Sequence, residues 1–318
     1  MEASKSSDAM TRRQAAENLG QSRDLKTAPA LEALLGDSEP IVRAAACDAL
    51  GILRSRSSVP RLGAVLSGDA DPRVRQAAAI AFVYIGDPAA AGHLIGALKD
   101  GSPPVRHAAM RALGKLRVVA GAGPLAAVLS DPEPSARKVA AASLGEVASK
   151  DSVPALSSAL SDPDAGVRAE AAKSLGLIGD AAAVPALTGA LKDAEGSVRV
   201  QAAQALARCG DLSGLSAVYA ALMNPDAAVR EQAAASVGLI GNAEALAKLE
   251  AARAVEPKKE VQATMDFSLA QLRARLGIPA KAPAKEPAVK KPAAKKPAVK
   301  KPAAKNPGKK PAGKRTIP

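Results

Sequence analysis

Aromatic residues are almost missing from this chain. Its 318 residues include two Phe, two Tyr and no Trp: Phe82, Tyr84, Tyr219 and Phe267 are the whole set. Large globular cores are usually anchored by such side chains, so their scarcity argues against one. A core of Ala and Leu suits helices that pack closely over short distances. Cysteine is as scarce. Cys47 and Cys209 are too few for a disulfide framework, and they read as buried apolar positions in a reducing compartment. The only histidines are His93, followed by Leu94, and His107, followed by Ala108. Neither has a recognisable partner. The pair supplies no iron or zinc site and no Ser-His-acid or Cys-His nucleophile, so no enzymatic activity, metal or cofactor is expected. Long apolar runs are also absent. The stretch from Met1 to Asp8 is polar, and nothing after it has the length of a signal peptide or membrane span. A cytoplasmic protein is expected.

What the chain does have is a phrase that returns about every 31 residues. An Asp is followed six positions later by an Arg that opens an apolar stretch. The pairs are Asp37/Arg43, Asp69/Arg75, Asp100/Arg106, Asp131/Arg137, Asp162/Arg168 and Asp193/Arg199. Asn224/Arg230 closes the series with the acid replaced, and Arg12 opens it. One interval is a residue longer, in the turn between Leu66 and Asp69. Such regularity implies stacked two-helix units, since each unit alone cannot bury its apolar faces.

Residues 153–179 show the unit most clearly. Pro154 stands where a helix starts and its missing N–H costs nothing. Leu156 and Leu160 follow at helical spacing, and Asp162-Pro163-Asp164 turns the chain. Val167, Ala171, Leu175 and Ile178 then form one apolar stripe on a second helix. Gly179 ends it, and Gly86, Gly210 and Gly241 occupy the same place in other units. Gly51, Gly114, Gly145, Gly176 and Gly238 recur inside the second helix, which points to close approach of a neighbouring backbone. The Asp is expected at the N-terminal end of the second helix, accepting from open amides. The Arg, a turn further on, is expected to reach the Asp of its own or the next unit, forming a ladder.

The phrase Asp-Pro-Asp-Ala-Gly-Val-Arg-Ala-Glu-Ala-Ala-Lys-Ser-Leu-Gly-Leu-Ile-Gly-Asp, residues 162–180, resembles a HEAT repeat of the short, phycobilisome-lyase-like type. The resemblance covers about residues 10–254 in eight copies. It implies an all-α fold: a right-handed α-solenoid of the HEAT/armadillo kind over residues 10–278, after a disordered N-terminus of residues 1–9. Lys258 to Leu276 keep an apolar stripe without the Asp/Arg phrase and read as a capping helix. The superfamily includes bilin lyase subunits, deoxyhypusine hydroxylase, alkylpurine DNA glycosylases and plain scaffolds. The hydroxylase's paired His-Glu dipeptides have no counterpart here, and neither do the DNA-facing aromatics of the glycosylases.

From residue 279 the sequence changes in kind. Twelve Lys and Arg315 stand against Glu286, whereas the preceding 278 residues hold 31 basic and 30 acidic groups. Pro at 287, 292, 297, 302 and 307 rules out helix and sheet, so an extended, disordered basic tail is expected, similar in composition to those of linker histones. Lys290, Lys291, Lys295, Lys296, Lys300, Lys301, Lys305, Lys309 and Lys310 would hold nucleic acid or another polyanion without reading bases. In the body, His107, Arg111 and Lys115 recur at steps of four, outside the apolar stripe. With Lys138 and Tyr84 they are expected to form a basic spot on the concave face. The function expected is that of a monomeric, non-catalytic scaffold docking a protein partner on that face. An accessory lyase or hydroxylase subunit, and direct DNA binding by the array through Arg111, Lys115 and Lys138, are the alternatives.

Overall fold

A computed structural model describes residues 2–279 of the chain. The tail lysines named above lie outside the described residues. Every element among the described residues is helical. After α1 (Ala9–Gln21) the helices come in pairs, a first helix and then a second. These are α2 (Ala28–Leu34) and α3 (Pro40–Ile52), α4 (Val59–Gly68) and α5 (Pro72–Ile85), α6 (Ala91–Ala97) and α7 (Pro103–Lys115), and α8 (Ala122–Val128) and α9 (Pro134–Val147). They continue as α10 (Val153–Ala159) and α11 (Ala165–Ile178), α12 (Val184–Ala190) and α13 (Gly196–Arg208), α14 (Leu215–Ala221) and α15 (Ala227–Ile240), and α16 (Ala243–Val255) and α17 (Lys259–Leu276). Each second helix packs on the next second helix and on its own first helix, which makes the array a solenoid. Pro40, Pro72, Pro103 and Pro134 open second helices where no N–H is needed.

The apolar stripes meet as expected. Val167, Ala171 and Leu175 are all fully buried, and their counterparts line one continuous core from α1 to α13. A second core begins on the other side of α13, with Val200 and Ala203, and runs to α17. The recurring glycine has a steric cause. A Cβ built on Gly176 would lie 2.8 Å from Ala205 Cα, and one on Gly20 would lie 2.8 Å from Ala49 Cα. Only a residue without a side chain lets second helices approach this closely, which offsets its poor helix propensity.

The arginine ladder runs forward along the chain. Arg43 Nε and Nη2 donate to both oxygens of Asp69, in the next unit, at 2.7 and 2.8 Å. Its Nη1 donates to the carbonyl of Asp37, in its own unit, at 2.8 Å. Arg12–Asp37, Arg75–Asp100, Arg137–Asp162 and Arg168–Asp193 repeat the bidentate pair, with side chains largely shielded from water. The Asp does not cap the second helix directly. It accepts from the amide of the N-cap residue two positions on, as Asp162 Oδ1 does from Asp164 at 2.8 Å, and of those N-cap residues Asp71, Asp164 and Asp226 cap their helices by side chain. Two rungs are missing. Arg106 donates to the Asp100 carbonyl at 3.0 Å and forms no ion pair with Asp131. Arg199, whose next-unit partner position holds Asn224, keeps only carbonyl contacts, to Asp193 and Ala194 at 2.6 and 2.8 Å.

Three local expectations are corrected. Residues 1–9 are not all irregular: Glu2–Lys5 form a 3-10 turn packed on α1. Arg12 orders this segment by donating to the carbonyls of Ser6 and Ser7 at 2.9 and 3.0 Å, and Asp8 caps α1 through the Thr11 amide at 2.8 Å. Cys47 is fully buried, but Cys209 is only half-buried at the C-cap of α13, its thiol directed at the Asp180 carbonyl 3.5 Å away. Gly86, Gly179 and Gly210 adopt left-handed φ of 69°, 68° and 87°, whereas Gly241 is extended, with φ −62°.

Candidate binding face of the second helices

Each ladder Arg, or Gln262 on α17, holds a carbonyl six residues before it, which sets the rotation of its second helix. Residues one, five and nine positions after the Arg therefore fall on one face, away from the first helices. On α7 these are His107, Arg111 and Lys115. On α9 they are Lys138, Ala142 and Glu146. The structure brings His107, Arg111, Lys115 and Lys138 around one cavity of about 560 Å³, with Ser135, Glu146 and Glu170 also in its wall. Tyr84 does not line this cavity. It stands on α5, 58% exposed, in the register that Lys115 has on α7.

The charges in the cavity do not balance. Lys115 donates to Glu146 at 2.6 Å, and Glu170 accepts from Lys173 at 2.9 Å. Arg111 and Lys138 form no ion pair among the described residues, and the missing Arg106–Asp131 rung lies beside them. Burial, and then the charges of Arg111 and Arg106, hold the His107 pKa below the ordinary histidine range, so the ring is neutral at pH 7. His107 Nε2 is shielded from solvent and has no hydrogen-bond partner. This is a site with donors to offer and two cations to be neutralised.

The other histidine is far from this chemistry. His93 stands on the first helix α6, its ring stacked on Phe82 at 6.2 Å and pressed against Gly63. No group of three His, Cys, Asp or Glu among the described residues is arranged to hold a metal. No described helix is long and apolar enough to cross a membrane.

A model of HEAT repeats matches residues 1–81, 59–127, 122–203 and 190–270. The chain belongs to the HEAT-repeat family. No curated protein is similar enough in sequence to match it. Among solved structures, YibA of Escherichia coli is similar over 83% of this chain and 97% of its own, with 19% identity and a TM-score of 0.52. The complex of CpcE and CpcF of phycocyanin lyase from Nostoc is 22% identical over 85% of this chain and 92% of that one, with a TM-score of 0.43. Human deoxyhypusine hydroxylase is 21% identical over 81% and 99%, with a TM-score of 0.37. At these identities the likeness concerns the fold alone.

In HEAT terms the end of the array is less degenerate than its sequence suggests. Glu256 takes the position of the ladder Asp and accepts both nitrogens of Arg230, at 2.7 and 2.9 Å. Gln262, six residues on, takes the place of the Arg and donates to the Glu256 carbonyl at 2.5 Å. A search for Asp and Arg misses both residues. The six-residue spacing, with Glu and Gln allowed, would have found them. The second omission is a row of exposed apolar side chains on α3 and α5: Ile41, Ile52 and Ile80 beside Tyr84. Reading positions five and nine across repeats, rather than along one helix, exposes Ile52, Ile80 and Tyr84, and Ile41 stands two residues before Arg43.

Proposed function

We propose that this HEAT array is a non-catalytic scaffold that docks a protein partner on the concave face made by its second helices. Its basic tail adds a non-specific hold on nucleic acid or another polyanion. One observation carries the reading. The residues that recur are spent on packing, while those that differ between repeats gather on one face and leave Arg111 and Lys138 without an ion pair among the described residues. A surface like this gains more from an incoming carboxylate than from water. Direct DNA binding by the array is the weaker reading, because Glu146 and Glu170 share the wall with the cations and Lys115 is already paired.

Residues 2–279 hold both cores, so a 1–278 chain folds without the tail. The test compares that chain with the full one for binding to duplex DNA over a salt series. Loss of binding on truncation is expected, with the full chain's log affinity falling by about 0.9 per log salt for each phosphate neutralised. Equal binding by both would put the polyanion site on the body. Metal or pigment co-purifying with residues 1–278 would replace the scaffold reading with an enzymatic or accessory-subunit one.

A further inference from the structure

We infer that the face running from α3 to α9 is a groove for one kind of partner: a short amphipathic peptide segment, apolar at one end and acidic at the other. The inference rests on the scaffold reading and adds the chemistry of the partner.

The face changes character along the array. Ile41 and Ile52 on α3 are 45% and 50% exposed and line one cavity of about 300 Å³ with Ala44 and Asp48. Ile80 on α5 is 38% exposed, and Tyr84 adds the large amphipathic surface typical of binding hot spots. Ile52 and Tyr84 share one register on adjacent helices, and with Ile41 and Ile80 on the same two helices they make a patch rather than scattered exceptions. The next two second helices carry Arg111 and Lys138, which share the wall of one cavity with His107. At the opposite end, Glu17 and Asp48 face each other across α1 and α3, and burial together with Glu17 raises the Asp48 pKa. In the α1–α3 cavity Arg13 is already paired with Glu17 at 2.9 Å and Asp48 stands beside them, whereas the α7–α9 cavity offers a new carboxylate Arg111 and Lys138.

Charge complementarity selects the occupant. The chain's own tail has twelve Lys and one acid, so the basic cavity repels it. A nucleic-acid backbone would meet Glu146 and Glu170 and would leave the isoleucines uncovered. A peptide with two or three large apolar side chains, followed by two or more carboxylates, satisfies both halves. About sixteen residues are enough, spanning about 24 Å if helical.

The experiment selects random peptides of about sixteen residues, displayed on phage, against the full chain. Winners are then measured by fluorescence anisotropy on the full chain and two variants. The double variant R111E/K138E reverses the basic end, and Tyr84→Ser removes the apolar anchor. All three side chains are solvent-exposed, so folding is retained and is checked by circular dichroism. Enriched peptides should combine large apolar residues with a cluster of Asp or Glu at one end. Each variant should weaken binding by at least about tenfold. Peptides that are basic or uncharged, or that bind both variants as well as the parent, overturn the groove while leaving the scaffold reading intact. A selection with no enrichment over an unrelated bait removes both.

Discussion

The joint between α11 and α13 and the joint between α13 and α15 are successive copies of one design, yet they are built differently. In the first, Arg168 clamps both oxygens of Asp193 at 2.7 and 2.9 Å, and Gly176 is buried against Ala205. In the second, Asn224 replaces the acid and Ala207, half-buried, stands where the glycine would be. The second joint is also where one core ends and the other begins. Asn224 is a selective loss. Its Oδ1 still accepts from the Asp226 amide at 2.9 Å, so the turn survives while the bidentate pair does not. Rung and glycine are both present in the first joint and both missing in the second, whereas α5–α7 has the Arg75–Asp100 rung with Val83 in the glycine's place and α7–α9 has Gly114 without a rung. The rung ties the N-terminal ends of adjacent second helices, and the glycine lets the rest of their length close up. Where both are missing, side-chain packing and a Gln204–Ser236 hydrogen bond remain.

Adding bulk at the two equivalent sites tests this difference most strongly. Gly176→Val pushes side-chain atoms into the Ala205 backbone and should cost about 3 kcal/mol, the upper part of the overpacking range. Ala207→Val, in the looser joint, should stay within about 0.5 kcal/mol of the parent. Urea unfolding of both variants checks this. Equal losses would mean that the two joints are packed alike. Exchanging the acid and the amide gives the next largest effect. Asp193→Asn should cost about 2 kcal/mol, because a charge-assisted pair shielded from water becomes a neutral contact. Asn224→Asp should gain about 1 kcal/mol by giving Arg199 its missing partner. A neutral Asn224→Asp would show that Arg199 gains nothing from a rung.

Acid should narrow the gap between the joints. Pairing with Arg168 is the largest influence on Asp193, and with Arg137 on Asp162, and each carboxyl is held below the ordinary Asp range. Asp37, Asp100 and Glu256 are lowered likewise, chiefly by Arg12, Arg75 and Arg230. A folded-state pKa below the unfolded one stabilises above the unfolded value, about 4 for Asp, and that stability disappears as pH falls through the folded value. Asn224 has nothing to protonate. At pH 7 amide exchange should report easier opening of α15 than of α11, and from pH 4 downward the difference should shrink. A difference that stays constant to pH 2 would remove the ladder as its cause.

Much of this was legible in the sequence because it repeats. An Arg–Asp ladder, the stripe of Val167, Ala171 and Leu175, and the crowded Gly176 all follow from residues that recur at one spacing, whereas that Arg43 takes Asp69 of the next unit and not its own Asp37 came from the structure. What was not legible depends on which copy departs from the rule. Glu256 and Gln262 preserve the geometry with other residue types. Arg106 fails to meet Asp131 although both match the phrase, and nothing in the structure explains that failure. The binding face was half legible. The cations stood out along α7, but the isoleucines of α3 and α5 form a patch only when units are laid side by side.

The smallest effect concerns how each second helix ends. Eleven residues after the ladder Arg the backbone turns left-handed, except after Arg230, where Gly241 is extended; in the tightly stacked half Arg23, Arg54, Arg117 and Ala148 hold that position with φ of 50–56°, and Gly86 holds it once. Around the loose joint the same position holds Gly179 and Gly210. Left-handed backbone is unfavourable for a residue with a Cβ, and it persists where the surroundings enforce it. Close packing of successive second helices from α1 to α11 supplies that enforcement, even at Arg117, whose helix α7 keeps Gly114 but has no rung, and the looser α13–α15 joint does not. Ala148→Gly relieves the strain but loosens the unfolded chain, leaving a net gain of about 0.5 kcal/mol. Gly210→Ala imposes the strain where nothing holds it and should cost about 1 kcal/mol, with amide exchange quickening first in α14 and α15. If Gly210→Ala is as harmless as an exposed helical substitution, the second joint is as rigid as the first, and the contrast drawn from Asn224 and Ala207 fails with it.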